Sequence, residues 1–539
     1  MVRVFRGGKP CRAALGAALA MALAGCVALP DVREPEPVSP DAALVSRAAI
    51  VADEPALSEE AAPSEWWRLF GDATLSALQA EAAESSLDIQ AALARVEESR
   101  AQLGLANAAR RPRLSGDAGY TRSALSEHSP MVMLGAPTEA TDTWSLGLQA
   151  DWELDLWGRL RHLAESAGAR LQAGGFGMAA ARVSVAGDVA RTYLLLRGAQ
   201  AQEAITEENR RIAEGLLQMA ESRERNGVAT RFDAAAARAD LAGIEARLFQ
   251  LVHQRDVLKN ALALLLGKPP RELDGRLAAA GLPPMPRRLP IGIPSDLARR
   301  RPDILRAEAN LRAAVADIGA ATADFYPRVS LTGGFGAQAF DFSDLGSWSS
   351  RFYALGPTLY LPIFQGGRLE SQLALSEARH RLAGIAYRQT VLRAWHEVDD
   401  ALGAYAAELK RHEQLRIALA QNETALAVAR RGYQEGSADF TSVLVARRSL
   451  LASQSALADC ATASALSVVS LYRALGGGWS PELWTAGEEA GEAGRSAGIP
   501  SISPAKKADG AGGASARPPD EASVMPANAG VRGGGREGS

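Results

Sequence analysis

Residues 144–158 read WSLGLQADWELDLWG, and two periodicities meet there. Trp144, Leu146, Leu148, Ala150 and Trp152 are apolar at every second place, while Ser145, Gly147, Gln149, Asp151 and Glu153 fill the gaps with polar or small groups. Period two predicts a strand with one oily face and one wet face. After Gly158 the pattern changes to a long alanine-rich helix. The stretch from Trp144 to Trp152 covers about 27 Å of strand at ~3.4 Å per residue. Tilted by about 40°, it projects to roughly 20 Å, near the ~25 Å apolar band that aromatic girdles bound in an outer-membrane barrel. The oil against Trp144, Leu146, Leu148 and Trp152 is then lipid, and the face with Gln149, Asp151 and Glu153 lines water.

Three more stretches alternate in the same way. Leu114, Gly116, Ala118 and Tyr120 stand against Ser115, Asp117 and Thr121; Val329, Leu331 and Phe335 stand against Ser330, Thr332 and Gln338. The fourth is less regular, with Tyr353, Leu355, Leu359 and Leu361 expected outward. One such strand alone reads as half of a soluble sheet. Four of them, in a repeated pair of hairpins behind an export signal, point to lipid. Beyond that signal there is no run of 18 apolar residues, so a membrane crossing has to be made by strands in a closed barrel. Four strands cannot close one, since the smallest barrels use about eight. Two chains would give a plugged tube and three an open lumen of twelve strands; spacing alone does not choose.

The export signal is residues 1–25. Arg3, Arg6, Lys9 and Arg12 precede the short apolar stretch AALGAALAMALAG, and LAGC at 23–26 resembles a bacterial lipobox. That resemblance implies cleavage before Cys26 and lipid on its thiol and new amine, with 26–60 as a lipidated linker. Cys11 leaves with the signal, so Cys460 is the one remaining thiol and no intrachain disulfide forms with an acylated Cys26. With 59 basic and 62 acidic residues the net charge is −3, which gives no reason to expect a nucleic-acid partner. Much of the 47% hydrophobic content is alanine and only 6% is aromatic, a composition that favours long helices over one bulky core.

The chain repeats itself. DIQAALARVEESRAQLGLANAARRPRLS starts at Asp88 and DILRAEANLRAAVADIGAATADFYPRVS at Asp303, an offset of 303 − 88 = 215. The same offset carries Gly104 onto Gly319, Pro112 onto Pro327 and Ser115 onto Ser330. Later landmarks repeat at 209: GRL at 158–160 and 367–369, Gly227 and Gly436, Leu266–Gly267 and Leu475–Gly476. Two copies of one unit are expected, 61–266 and 302–485, joined by a Pro-rich linker 267–301 and followed by a disordered tail 486–539. Each unit reads as a helix (86–110; 302–324), a strand (113–124; 328–340), a loop, a returning strand (143–155; 351–362), a very long helix (159–224; 368–434), a Gly turn, and a last helix (231–266; 440–475). Some 60 residues of helix make a rod of roughly 100 Å. Leu375, Ala378, Leu382, Ile385, Gln389 and Leu392 form a seam offered to another helix. AGGFG at 173–177 is expected to weaken or bend the first rod.

Enzyme signatures are missing. GGFGAQAF at 333–340 sits in a strand and makes a poor phosphate cradle. Asp399 and Asp400 are sequence neighbours that point about 100° apart on a helix. His380, His396 and His412 recur every sixteen residues and share no helical face, so no metal site or cofactor is expected beyond the lipid on Cys26. Cys460 reads as a small packing residue, and Trp66 and Trp67 as packing of the N-terminal segment on the helical shaft.

At this point EWWRLFGDATLSAL, WELDLWGRLR, RRPDILRAEANLRAA, FYPRVSLTG, LYLPIFQGGRL and LYRALGGGW resemble the outer-membrane efflux lipoproteins of the TolC/OprM/NodT type, over residues 60 to 480. The resemblance implies a mixed α and β membrane protein: a homotrimer with a twelve-stranded outer-membrane β-barrel, an α-helical barrel reaching into the periplasm, and a smaller mixed equatorial region. It implies a passive exit duct for small toxic compounds or drugs, joined to a periplasmic adaptor and an inner-membrane resistance-nodulation-division pump, in the outer membrane of a Gram-negative bacterium. The family closes its periplasmic tip with charged residues, which places the candidate gate at the two Gly turns, near Arg225, Asp233, Arg431, Tyr433, Asp439 and Arg448. A Leu-Asp-Ala-Gln-Arg motif commonly follows the second turn. Here it is LVARR at 444–448, so Val445 replaces the family's Asp while Arg448 matches. The alternatives are the outer-membrane channel of a type I protein-secretion system and, in another class, a periplasmic coiled-coil scaffold lipoprotein, which would need no lipid-type strands.

Overall fold

The computed structural model describes residues 57–480 apart from 59, 229 and 293–299. The leader, Cys26 and the tail 486–539 lie outside the described residues. Seven helices organise the described chain: α1 (Ala73–Ser85), α2 (Leu87–Ala108), α3 (Arg159–Arg225), α4 (Arg231–Leu265), α5 (Pro302–Ala323), α6 (Arg368–Glu435) and α7 (Phe440–Ala474). Between them run β1 (Leu57–Ser58), β2 (Arg113–Ser123), β3 (Thr141–Leu154), β4 (Leu289–Pro290), β5 (Arg328–Ala339) and β6 (Arg351–Tyr360). Beyond the elements expected from the sequence, the chain forms α1, the two-residue ladder β1–β4, and a single helical turn at Pro130–Met133 inside the first loop.

The bounds of α2 shifted by 215 are those of α5, and the bounds of α4 shifted by 209 are those of α7. The glycines that bound the long helices repeat between the copies, while Pro302 of α5 replaces Leu87 of α2. Pro302 stands in the first turn of α5, where its missing N–H costs nothing. Gly158 (φ 78°) and Gly367 (φ 81°) start the two long helices from left-handed backbone, and Gly227 (φ 72°) and Gly436 (φ 79°) turn them around. A side chain at such φ values would crowd its own carbonyl.

AGGFG does not interrupt α3, which runs unbroken for 67 residues. The expected weak point is overridden by packing. A Cβ on Gly174 would come 3.2 Å from Ser99 Oγ of α2, and one on Gly177 would lie 3.7 Å from Arg306 Cδ of α5. Gly174 lets α2 approach α3 closely, and packing along the helix outweighs the helix propensity lost, about 1 kcal/mol per Gly.

α3 and α6 are the through-going rods. α3 packs along α2 and α5 near the strands and along α4 and α7 further out; α6 packs along α5 and then α7. Among the described helices only α7 is long and apolar enough to cross a membrane by composition, with mean hydropathy 1.3 over its best window; its apolar side chains are spent on α3 and α6. The main core lies where the elements converge. Trp66 is fully buried and stacks on Tyr472 with ring centroids 5.5 Å apart, in contact with Trp67 edge-on. Tyr193 of α3 donates to Asp72 Oδ2 at 2.6 Å, the residue that also caps α1 through the Leu75 N–H. Cys460 is buried in α7 with its thiol 3.2 Å from Glu408 Oε2 of α6.

The four long strands form an antiparallel meander in the order β2–β3–β5–β6, so β2 and β6 are open edges. Register fixes the faces. Leu146 lies opposite Ala118 and Ala337; Leu148 opposite Gly116 and Phe335; Trp152 opposite Leu331. Tyr353, Leu355 and Leu359 of β6 face Phe335, Gly333 and Val329, and so continue the same face.

Candidate functional site

Two places in the chain carry structure that its own core does not explain: the sheet and the far ends of the long helices.

On the sheet, alternation places Trp144, Leu146, Leu148 and Trp152 together on one face, and their neighbours across both ladders are apolar or small. Aromatic side chains gather at both ends of this face. At the loop end Tyr120 and Trp144 lie 4.5 Å apart and Phe342 packs edge-on against Trp144 at 5.1 Å. At the helix end the Trp152 indole donates to the Arg110 carbonyl at 3.1 Å, and Trp157 stacks on Tyr326 while donating to the Pro327 carbonyl at 2.7 Å. An indole with an apolar body and one N–H suits a boundary between oil and water. The opposite face carries Asp117, Gln149, Asp151, Ser330 and Thr332. Among the described residues neither edge nor the apolar face has a partner.

At the far ends, the first hairpin turns through Gly227 into the N-cap Thr230, whose capping box with Asp233 closes when the Thr230 N–H donates to Asp233 Oδ2 at 3.2 Å. The second turns through Gly436 into the N-cap Asp439, which accepts the Ser442 N–H at 2.8 Å. The Ser442 hydroxyl and N–H hold the Asp439 carboxyl below its ordinary value. Asp233 and Asp439 are thus occupied in starting helices. Arg431 is exposed and pairs with Glu435 at 3.0 Å on its own helix. Arg225 donates to the Glu221 carbonyl at 3.4 Å. Tyr433 is buried against Phe440, with the Arg223 guanidinium 4.5 Å above its ring and its hydroxyl without a hydrogen-bond partner among the described residues. Arg448 Nε donates to Asp240 Oδ1 of the other hairpin at 3.0 Å. The candidate residues therefore do not converge on one cluster.

A buried tie between the hairpins at the tips involves none of the residues expected at the gate except Arg448. Arg447 reaches from α7 to Asp240 Oδ2 on α4 and donates to the Asn209 carbonyl on α3 at 2.7 Å. Burial pulls its guanidinium below the usual value while Asp240 opposes that pull. A signal was present. Phe440, Leu444 and Arg447 fall at i, i+4 and i+7, so a charge sits in an apolar stripe and requires a buried counter-charge. Val445, where the family's Asp was expected, is 57% exposed.

The profile of the family described as "Outer membrane efflux protein" matches residues 78–268 and 293–477. The chain belongs to that family. It is 35% identical to outer membrane protein OprJ of Pseudomonas aeruginosa over 77% of this chain and 86% of that protein. It is 31% identical to the cation efflux system protein CusC of Escherichia coli, over 87% of this chain and all of the relative (100%). The crystal structure of the outer membrane protein VceC of Vibrio cholerae superposes with a TM-score of 0.72 at 31% identity, covering 78% of this chain and 100% of that one. This outer membrane efflux protein is accordingly a transport component of the Gram-negative outer membrane. Family membership and the unpartnered apolar sheet, reached by separate routes, agree on the membrane.

Proposed function

We propose that the chain is the exit duct of a tripartite efflux pump, working as a homotrimer of two-repeat subunits whose four strands each complete a twelve-stranded barrel. The observation that carries this reading is the matched incompleteness of its two sides. β2 and β6 are open edges of one sheet. On the helices, the seam Leu375, Leu382, Ile385 and Leu392 of α6 is exposed, with Leu382 at 65%, and so are Leu87, Leu93 and Leu105 of α2 on the other side. An interface whose two halves lie on different sides of one subunit closes only as a ring. Twelve strands leave an open lumen where eight are nearly filled by side chains.

In this reading Trp144, Leu146, Leu148 and Trp152 face lipid, Cys26 carries the lipid anchor, and α3, α4, α6 and α7 from each copy form an α-barrel in the periplasm. The ties at the tips, above all those of Arg447 and Arg448 to Asp240 between hairpins, hold the entrance closed. A periplasmic adaptor and an inner-membrane resistance-nodulation-division pump supply the opening force and the energy. The cargo is small toxic compounds or drugs. Val445 removes the acidic ring that the family's motif would place there, so closure here relies on interhelical ion pairs rather than on a ring of like charge.

The test is electrical. Purified full-length protein in planar bilayers should show a threefold complex with a rare open state, and replacing Asp439 and Arg448 by Ala should separate their roles. Arg448→Ala raises the open fraction; Asp439→Ala, which loses only a helix cap, raises it less. A protein that stays monomeric in mild detergent and never conducts sinks the duct reading.

A further inference from the structure

We propose that the apolar face of the sheet holds a specific binding slot for a phosphorylated glucosamine lipid of the outer leaflet, with acyl chain in a groove and phosphate on Arg351; this rests on the barrel reading above. The groove measures about 470 Å³. Its floor is made by the small residues Gly116, Ala118 and Ala337 and its walls by Leu146, Leu148 and Phe335; Asp117 also borders it, but its carboxylate lies beside Gly147 on the opposite face of the sheet. Register shows why it exists. Ala118, Leu146, Ala337 and Arg351 are one row across all four strands, with methyl groups on either side of Leu146, so the face dips beside that side chain at Ala118 and Ala337.

Arg351 ends the row. It is the first residue of β6, next to the loop 340–350, and so at the strand ends opposite those that lead into the helices. Its guanidinium stacks on the Trp348 ring at 4.2 Å, and Trp348 is itself 80% exposed. Among the described residues Arg351 has no carboxylate within ion-pair distance, unlike Arg122, which Asp142 holds at 3.2 Å. A second copy docking its β2 on this edge does not supply one from that strand. The β2 residues on this face are Leu114, Gly116, Ala118, Tyr120 and Arg122.

A cation at one end of an otherwise apolar groove calls for an amphiphile with an anionic head. Uncompensated charge against hydrocarbon is costly, and a phosphate removes that cost with charge-assisted hydrogen bonds from a planar guanidinium. The position of Arg351, at the end away from the periplasmic helices, selects the outer leaflet and hence its phosphorylated glucosamine lipid over glycerophospholipid. Trp348 and Phe342 stand at the same level, where aromatic girdles meet headgroups.

Native mass spectrometry of the full-length protein, released from detergent after titration with bis-phosphorylated lipid A, tests the slot. Phosphatidylglycerol and dephosphorylated lipid A serve as the comparison lipids. The wild type should retain lipid A preferentially. Arg351→Gln should weaken retention by at least about tenfold, and Ala337→Trp, which fills the groove and leaves the charge, should abolish it, with bilayer conductance unchanged in both. Equal retention by both variants, or equal binding of phosphatidylglycerol or of the dephosphorylated lipid, overturns the slot while leaving a conducting barrel. A protein that does not insert at all overturns the barrel and the slot with it.

Discussion

Arg447 and Asp240 form a buried ion pair between the two helical hairpins: the arginine is 2% exposed, and the carboxylate takes Arg447 on one oxygen and Arg448 on the other. The hairpins are thus fastened by charge beside an apolar cluster that includes Leu216, Leu426, Tyr433, Phe440 and Leu444. Removing the shared carboxylate leaves one buried and one exposed cation side by side. Asp240→Asn should cost about 3–5 kcal/mol of stability, as breaking a buried pair does, and should raise the open fraction of the channel. Arg447→Met should cost less, because Arg448 still neutralises Asp240. A thermal melt followed by circular dichroism orders the two variants, and the reverse order would show that the arginine matters mainly for its bulk.

The Tyr433 hydroxyl is buried without a partner among the described residues, whereas its ring is clasped between Arg223 and Phe440. An unsatisfied buried hydroxyl is a liability of about 1–3 kcal/mol. Tyr433→Phe should therefore melt at or above the wild-type temperature, and Tyr433→Ala well below it. If the Phe variant melts lower, the hydroxyl is bonded to a group outside the chain, and a neighbouring subunit is the place to look.

Gly198 of α3 lies against Thr462 of α7, where an added Cβ would come 2.5 Å from Thr462 Oγ1. Gly198→Ala should destabilise by about 1–3 kcal/mol through overpacking. The double variant with Thr462→Ala should recover most of this loss, because the two sites share one contact. Simple additivity of the two melts would show that the clash is relieved elsewhere.

Tyr193 has its phenol pushed up to about 12, first by burial and then by the hydrogen bond it donates to Asp72. A folded-state value above the unfolded one means that the contribution to stability is intact below pH 10 and fades as pH rises through about 12. Alkaline unfolding curves should thus steepen between these values in the wild type and be flatter in Tyr193→Phe. Identical curves would remove Tyr193 from the alkaline transition.

Trp66 fills the junction between the N-terminal segment and Tyr472. Trp66→Ala should cost about 3–5 kcal/mol, as large core truncations do, and its first visible effect should be protease cleavage near 57–70. Protection equal to wild type would show that the segment is held by other contacts.

Much of this architecture is legible because the determinants are local. Alternation at 144–152 fixes the strand and its faces, Pro112 and Pro327 end helices whatever lies around them, and the glycines at 227 and 436 enforce turns. Other parts were hidden because distant neighbours decide them. AGGFG reads as a weak point until Ser99 of α2 is seen to need the space at Gly174. The Asp240 tie required knowing that α4, α3 and α7 meet, which no spacing along one helix states; only the misfit of Arg447 in its apolar stripe gave warning.

The continuity of α3 has a mechanical result. A rod without a joint acts as a lever. Rotating it by about one degree at its root shifts an end roughly 100 Å away by roughly 2 Å. Aperture at the far end is then governed by how firmly the roots beside Gly158 and Gly367 are seated, so substitutions tens of ångströms from the entrance should alter its diameter without touching it.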